Sequence, residues 1–205
     1  RKRIFNNLIF NLFLLFLFYL INLLPTLLII FININYLFGI MKFFTKNHQE
    51  YITQLFSKIE DYYGDALVSL VVYGSYAREE NKFDSDIDLF IVIKTDKNRR
   101  ERIREFVKEI ESPLLNLSLK LYEDRISSEI STLILTEKES LCFNPLYLDM
   151  VTKRIIIFDR DNFMENLLMK YKNLMNECKT RKEKCGSFEY FVLNNKKILE
   201  GIKVG

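Results

Sequence analysis

The chain is poor in the residues that build several whole protein classes. With 6 Gly, 3 Pro and 3 Cys in 205 residues, collagen-like, low-complexity and disulfide-scaffold architectures are excluded. Cys142, Cys178 and Cys185 show no metal-ligand spacing, which argues against a zinc site and fits the reduced thiols of a cytosol. His48 is the single histidine, so most Ser–His and Cys–His nucleophilic mechanisms drop out. It sits at a polar helix start and is expected to be an exposed helix residue. Basic excess is lacking too. Of 30 Lys+Arg and 27 Asp+Glu, the surplus belongs to Arg1, Lys2 and Arg3, and the remainder of the chain is neutral. No nucleic-acid partner is expected, because such binding works through a basic surface.

Charge is also missing from the start of the chain: none falls between Ile4 and Met41. Leu8 to Ile32 is apolar apart from Asn11, Asn22, Pro25 and Thr26, long enough to span a bilayer as a helix, with a basic flank favouring the cytoplasmic side. No small-x-small pattern marks a signal-peptide cleavage site. Two readings stay open. The segment is a membrane anchor, or it is upstream text outside the working protein, since it consists mostly of Ile, Leu, Phe and Asn, as translated A/T-rich non-coding DNA does. The second is the expectation, with the functional chain starting at Met41, the first methionine. Localisation is then cytoplasmic, and a membrane partner enters only if residues 1–40 belong to the protein.

The text after Met41 alternates between helical and extended patterns. Asn47 to Tyr63 carries apolar residues at helical spacing and meets a stop at Gly64. Ala66 to Tyr73 and Ile87 to Ile93 read as buried strands. Arg99 to Glu111 reads as an amphipathic helix with Ile103, Phe106, Val107 and Ile110 on one face. Leu114 to Ser127 is ambiguous, with a helix the leading option. Ile130 to Thr136 and Arg154 to Phe158 read as third and fourth strands. Asp161 is an expected N-cap for a long helix to about Lys179. A last amphipathic helix is expected through Phe188, Phe191, Val192, Ile198 and Leu199. The fold class is α/β (α+β), organised as a hydrophobic segment 1–40, a domain 41–160 and a helical extension 161–205.

Residues 71–93, VVYGSYAREENKFDSDIDLFIVI, carry the chemistry. A buried strand ends in Gly74-Ser75 and a helix begins. Backbone N–H groups there, with the Ser75 hydroxyl, make a phosphate-binding corner that Gly74 lets a ligand approach. Asp86 and Asp88, two apart on a strand, point to one face. Such carboxylates repel unless a cation sits between them, and Mg²⁺ accepts that arrangement with phosphate oxygens as further ligands. A second D-x-D, Asp159 and Asp161, begins a helix, and capping accounts for it.

Gly74-Ser75, ten residues, then Asp86-Ile87-Asp88 matches the GSx10DxD signature of the DNA polymerase β-like nucleotidyltransferases. The flanking YGSYAR and SDIDLFIV agree. The chain resembles the minimal nucleotidyltransferases, small proteins often encoded beside HEPN-domain toxins, over roughly Met41 to Asn176. The resemblance implies a small mixed sheet flanked by helices, two Mg²⁺ ions and ATP as substrate. By position, Asp86 and Asp88 would be the catalytic metal ligands, Gly74 and Ser75 would bind the β- and γ-phosphates, and Arg78 and Lys82 would add phosphate contacts. Family members usually carry a third carboxylate on the next core strand. Here that strand offers Ser131 and Thr132, with Glu129 at its edge, and Asp149 is the other candidate metal ligand.

The implied activity is transfer of AMP from ATP to a hydroxyl of a partner protein, with a HEPN-type toxin as partner. Only 47 residues follow Phe158, too few for the helical body of a poly(A) or tRNA-terminal polymerase. Competing readings are a catalytically weak antitoxin acting by contact, an aminoglycoside-type nucleotidyltransferase, and a membrane-tethered signalling protein if residues 1–40 are genuine.

Overall fold

The computed structural model describes residues 41–186 and 188–192. The anchor or upstream text at 1–40 and the expected helical positions Ile198 and Leu199 lie outside the described residues. Helix α1, Lys46–Tyr63, starts where the Thr45 hydroxyl accepts the His48 N–H at 3.2 Å and stops at Gly64, whose φ of 48° suits only glycine comfortably. Strand β1, Leu67–Val72, is buried along its whole length. The short helix α2, Gly74–Ala77, follows it directly, opening at Gly74 rather than at Tyr76. Strand β2, Ile87–Ile93, pairs antiparallel with β1 and parallel with β3, Ile130–Thr136. Strand β4, Ile155–Asp159, pairs antiparallel with the other edge of β1, giving the mixed order β3-β2-β1-β4.

Between β2 and β3 run α3, Arg99–Phe106, a wider turn Val107–Glu111, and α4, Leu115–Glu123, which resolves the ambiguous stretch as a helix. The apolar face expected for α3 is only partly buried. Phe106 and Ile110 are inside, whereas Ile103 is 39% and Val107 43% exposed. The buried place beside them goes to Arg102, whose guanidinium holds Glu139 at 2.8 and 3.0 Å. Short helices α5, Glu137–Ser140, and α6, Leu146–Thr152, precede β4, and α7, Phe163–Glu177, follows it.

One face of the sheet, carrying Val71, Phe90 and Val92, packs on Tyr147 and Met150 of α6 and on Met164, Leu167, Leu168 and Tyr171 of α7. Alternation sends Ile87, Leu89 and Ile91 to the opposite face. Leu55 and Ile59 of α1 and Leu121 of α4 are fully buried as well. Burial of each large side chain contributes about 1.5–3 kcal/mol, enough to hold the central strands rigid.

Two expectations need correction. Asp161 does not cap α7: the N-cap position is Asn162, which makes no side-chain capping bond, and the capping carboxylate comes from Asp159. Its carboxylate accepts the N–H groups of Met164 and Glu165 at 2.8 and 3.0 Å and the Ser69 hydroxyl at 2.6 Å. Asp161 and Asn162 instead turn the chain in the left-handed region, with φ of 53° and 55°. The final helix is replaced, over the described residues, by a hairpin of β5, Arg181–Cys185, and β6, Phe188–Val192. Cys185 pairs with Phe188, and in the sequence Gly-Ser stands between them. That is a hairpin signal rather than a helix break.

Candidate active site

The site forms where β1 gives way to α2 beside the first residues of β2. Tyr73 donates its backbone N–H to the Asp88 carbonyl at 3.1 Å, locking the end of β1 to β2. Gly74 then turns with φ of 66°, and its α-carbon lies directly against the Asp88 side chain. A methyl group there would overlap the Asp88 Oδ2 and come within 2.8 Å of its Cγ. The sequence brings Gly74 and Asp88 together, and only glycine permits both the dihedral and the approach. Ser75 is half-buried at the start of α2, with its carbonyl accepting the Glu80 N–H at 2.9 Å.

Asp86 is exposed and Asp88 half-buried, both on the sheet face that carries Phe90 and Val92. Burial first, then the charge of Asp86, pushes the Asp88 carboxyl above the ordinary carboxylate range, while nearby Arg78 and a hydrogen bond from Ser131 oppose the shift. Two repelling oxygen donors in a corner without a Cβ are the donor set a hard divalent cation takes. Mg²⁺ therefore fits these residues.

Arg78 is at the site, since its charge reaches Asp88, and its Nε also holds Glu80 at 2.8 Å. Lys82 is exposed in the same loop, whose turn is closed by its N–H to the Ser85 hydroxyl at 2.9 Å. Ser131 pairs with Asp88 in the parallel ladder, on the strand where the resemblance implies a third carboxylate. Asp149 is elsewhere, on α6, with its carboxylate 3.5 Å from Lys182 Nζ. Glu129 is better placed. Its carbonyl accepts the Ile87 N–H at 2.9 Å, extending β3 opposite Asp86. Among the described residues no three acidic, histidine or cysteine side chains converge as a metal site.

Sequence reasoning missed what supports the turn from behind. His48 is not exposed but fully buried, with Nε2 2.9 Å from the Tyr76 hydroxyl. Its Nδ1 accepts the Phe44 N–H at 3.2 Å, so Nε2 carries the hydrogen and donates to Tyr76. Phe44 stacks on the ring at 5.2 Å. Burial holds the imidazole neutral, lowering its pKa to about 4, and lifts the Tyr76 phenol to about 12, with the charge of Asp86 adding to the latter. Tyr76 immediately follows Ser75, so α1 grips the Gly74–Ser75 turn through this pair. The one sequence signal is the pair Phe43-Phe44 just before His48.

A sequence model of the nucleotidyltransferase domain matches residues 52–178. The chain belongs to this family. The nucleotidyltransferase is also 32% identical over 133 residues to a Methanocaldococcus jannaschii protein bearing the name "Putative protein adenylyltransferase", covering 62% of this chain and 83% of that one. Among solved structures, it is similar to a toxin–antitoxin crystal structure with AMP-PNP at 16% identity and a TM-score of 0.36, over 66% of this chain and 94% of that one. It is similar also to the tri-AMPylated Shewanella oneidensis HEPN toxin in complex with MNT antitoxin, at 15% identity and a TM-score of 0.34, over 63% of this chain and 92% of that one. No helix among the described residues of the nucleotidyltransferase is long and apolar enough to cross a membrane.

Proposed function

We propose that this nucleotidyltransferase is a cytoplasmic, Mg²⁺-dependent protein adenylyltransferase. It moves AMP from ATP to a hydroxyl of a partner protein, a HEPN-type toxin for which it is the antitoxin. The observation that carries the reading is the seating of Gly74 against Asp88, which joins a phosphate corner to a carboxylate pair at one point. The similarity to the M. jannaschii protein supports a protein acceptor. So does the neutral charge of the chain beyond Arg3, which offers little to a nucleic acid.

In this mechanism the backbone N–H groups and hydroxyl at Ser75 hold the β- and γ-phosphates, and the charges of Arg78 and Lys82 add to that hold. Asp86 and Asp88 would hold two Mg²⁺ ions. Such ions, when bound, stabilise charge on the attacking and leaving oxygens of an in-line displacement. Ser131 stands opposite Asp88 in the parallel ladder and supports its carboxylate, and the His48–Tyr76 pair keeps the turn from shifting. The acceptor oxygen bonds to the α-phosphorus, pyrophosphate departs, and the hydroxyl proton passes to water.

The test is mass spectrometry of the partner after incubation with ATP and Mg²⁺. A gain of one adenylyl group on a hydroxyl residue supports the proposal, and a gain of a phosphoryl group, or none, contradicts it. A second reading, an antitoxin that acts by contact alone, is favoured by one observation: Ser131, not a carboxylate, faces Asp88. On that reading Asp86→Asn/Asp88→Asn neutralises the toxin as well as the native chain does.

A further inference from the structure

The sheet order dictates the side from which an acceptor reaches the carboxylates. β1, ending in the Gly74–Ser75 turn, lies on one side of β2, and β3 lies on the other. With the triphosphate on the turn, pyrophosphate leaves toward β1. In-line displacement then requires the attacking oxygen to arrive from the opposite side, over the start of β3. At that end of the sheet, beside Glu129 just before β3, opens a cleft of 690 Å³ lined also by Phe83, Tyr122, Glu123, Arg125 and Ser127.

The cleft has a distinct chemistry. Phe83 is 56% and Tyr122 81% exposed, and Leu115 and Leu119 continue the row along α4 at 59% and 54%. Positions 115, 119 and 122 share one helix face, so these are a stripe rather than scattered apolar residues, and contiguous apolar patches mark interaction sites. The charges of the lining are Asp84, Glu123 and Glu129 against Arg125, an acidic balance. A second cleft of 500 Å³, lined by Val107, Glu111 and Leu115, meets the first at Glu129. The walls are tied down. The Ser127 N–H bonds to the Phe83 carbonyl at 2.6 Å, and Thr45 and Asn47 hold Asp124, at the end of α4, at 3.1 and 2.9 Å. A pre-ordered cleft loses little entropy on binding.

We infer that this cleft seats the acceptor: a segment of the partner protein whose target hydroxyl is flanked by basic and apolar side chains. The inference rests on the protein-adenylylation reading and adds to it the surface and the chemistry that select the segment. Basic flanks complement Asp84, Glu123 and Glu129, and an apolar side chain covers Phe83, Leu119 and Tyr122. An incoming polyphosphate backbone would meet the same acidic rim and be repelled.

The experiment presents the full chain, with Mg²⁺ and ATP labelled at the α-phosphate, to a peptide array and separately to kanamycin. Each peptide carries one Tyr, Ser or Thr amid randomised flanks. Label is expected on peptides enriched in Arg or Lys and in Leu or Phe around the hydroxyl. Tyr122→Ala should raise the KM of a selected peptide about tenfold, the loss of one aromatic anchor. ATP affinity read by calorimetry should stay within about twofold. Glu123→Lys should erase the preference for basic flanks. Flank preferences and KM that persist unchanged in both variants would place the acceptor elsewhere, overturning this inference while leaving protein adenylylation standing. Label on kanamycin and on no peptide, or on neither, would overturn both.

Discussion

Replacing Gly74 by alanine tests how closely the phosphate corner and the carboxylate pair depend on each other. The residue turns with φ of 66°, a region that costs an L-residue about 1–2 kcal/mol. Its new methyl would overlap Asp88 Oδ2 and lie 2.8 Å from Cγ, and overpacking of this kind costs about 1–3 kcal/mol. The expected loss of stability is therefore about 2–5 kcal/mol. The more telling effect is on rate. The clash is relieved when the Asp88 side chain swings away from Gly74, spoiling the alignment of its oxygens with Asp86. Loss of one preorganised electrostatic contact costs about 100-fold to 1,000-fold in kcat. Gly64 is the control: its φ of 48° is also positive, but nothing lies within 4 Å of an added methyl. Gly64→Ala, at φ 48° and ψ −120°, should lose about 1–3 kcal/mol by denaturant unfolding and keep native transfer of AMP from labelled ATP. Native transfer rates in Gly74→Ala, or equal rate losses in both variants, would refute the argument.

The buried imidazole makes stability depend on pH. The unfolded chain takes up a proton near 6.5, the folded one only near 4, so stability falls as pH falls between those values, by up to about 3 kcal/mol. Chemical denaturation across that window should show the slope in the native chain and lose it in His48→Gln, whose amide N–H can still donate to Tyr76. Asp88→Asn should raise the melting temperature of the metal-free protein while abolishing AMP transfer, because the carboxyl is held above its ordinary range and its charge opposes folding near neutrality. Asp159→Ala removes the cap of α7 and the partner of Ser69, costing about 1–2 kcal/mol with little change in transfer rate, which separates this second D-x-D from the chemistry.

Much of the fold was legible because burial and local pattern coincide in it. The unbroken apolar runs around Leu70 and Phe90 permit only central strands, and the apolar spacing from Ile52 to Ile59 permits only a helix with one covered face. The Gly74-Ser75 and Asp86/Asp88 elements were legible because their chemistry needs fixed residue types at fixed spacing. What escaped depends on partners distant in the chain. His48 reads as a polar helix start until Phe44 and Tyr76 close over it. Asp159 caps α7 because Ser69, 90 positions earlier, pins it in place, whereas proximity alone favoured Asp161. The hairpin at Cys185–Phe188 was a local error, since Gly186-Ser187 suits a tight turn as well as a helix break. Ser131 and Glu129 could be ranked against Asp149 only after the parallel register of β2 and β3 was visible.

The central claim is that the Asp86/Asp88 pair transfers AMP to a partner protein, and one measurement bears on it most directly. The full chain and its Asp86→Asn/Asp88→Asn variant are incubated side by side with Mg²⁺, a HEPN-type toxin as the proposed partner, and ATP labelled at either the α- or the γ-phosphate. The account predicts label on the partner from the α-position only, present with the native chain and absent with the variant. Label that persists with the variant, or that comes from the γ-position, would contradict it.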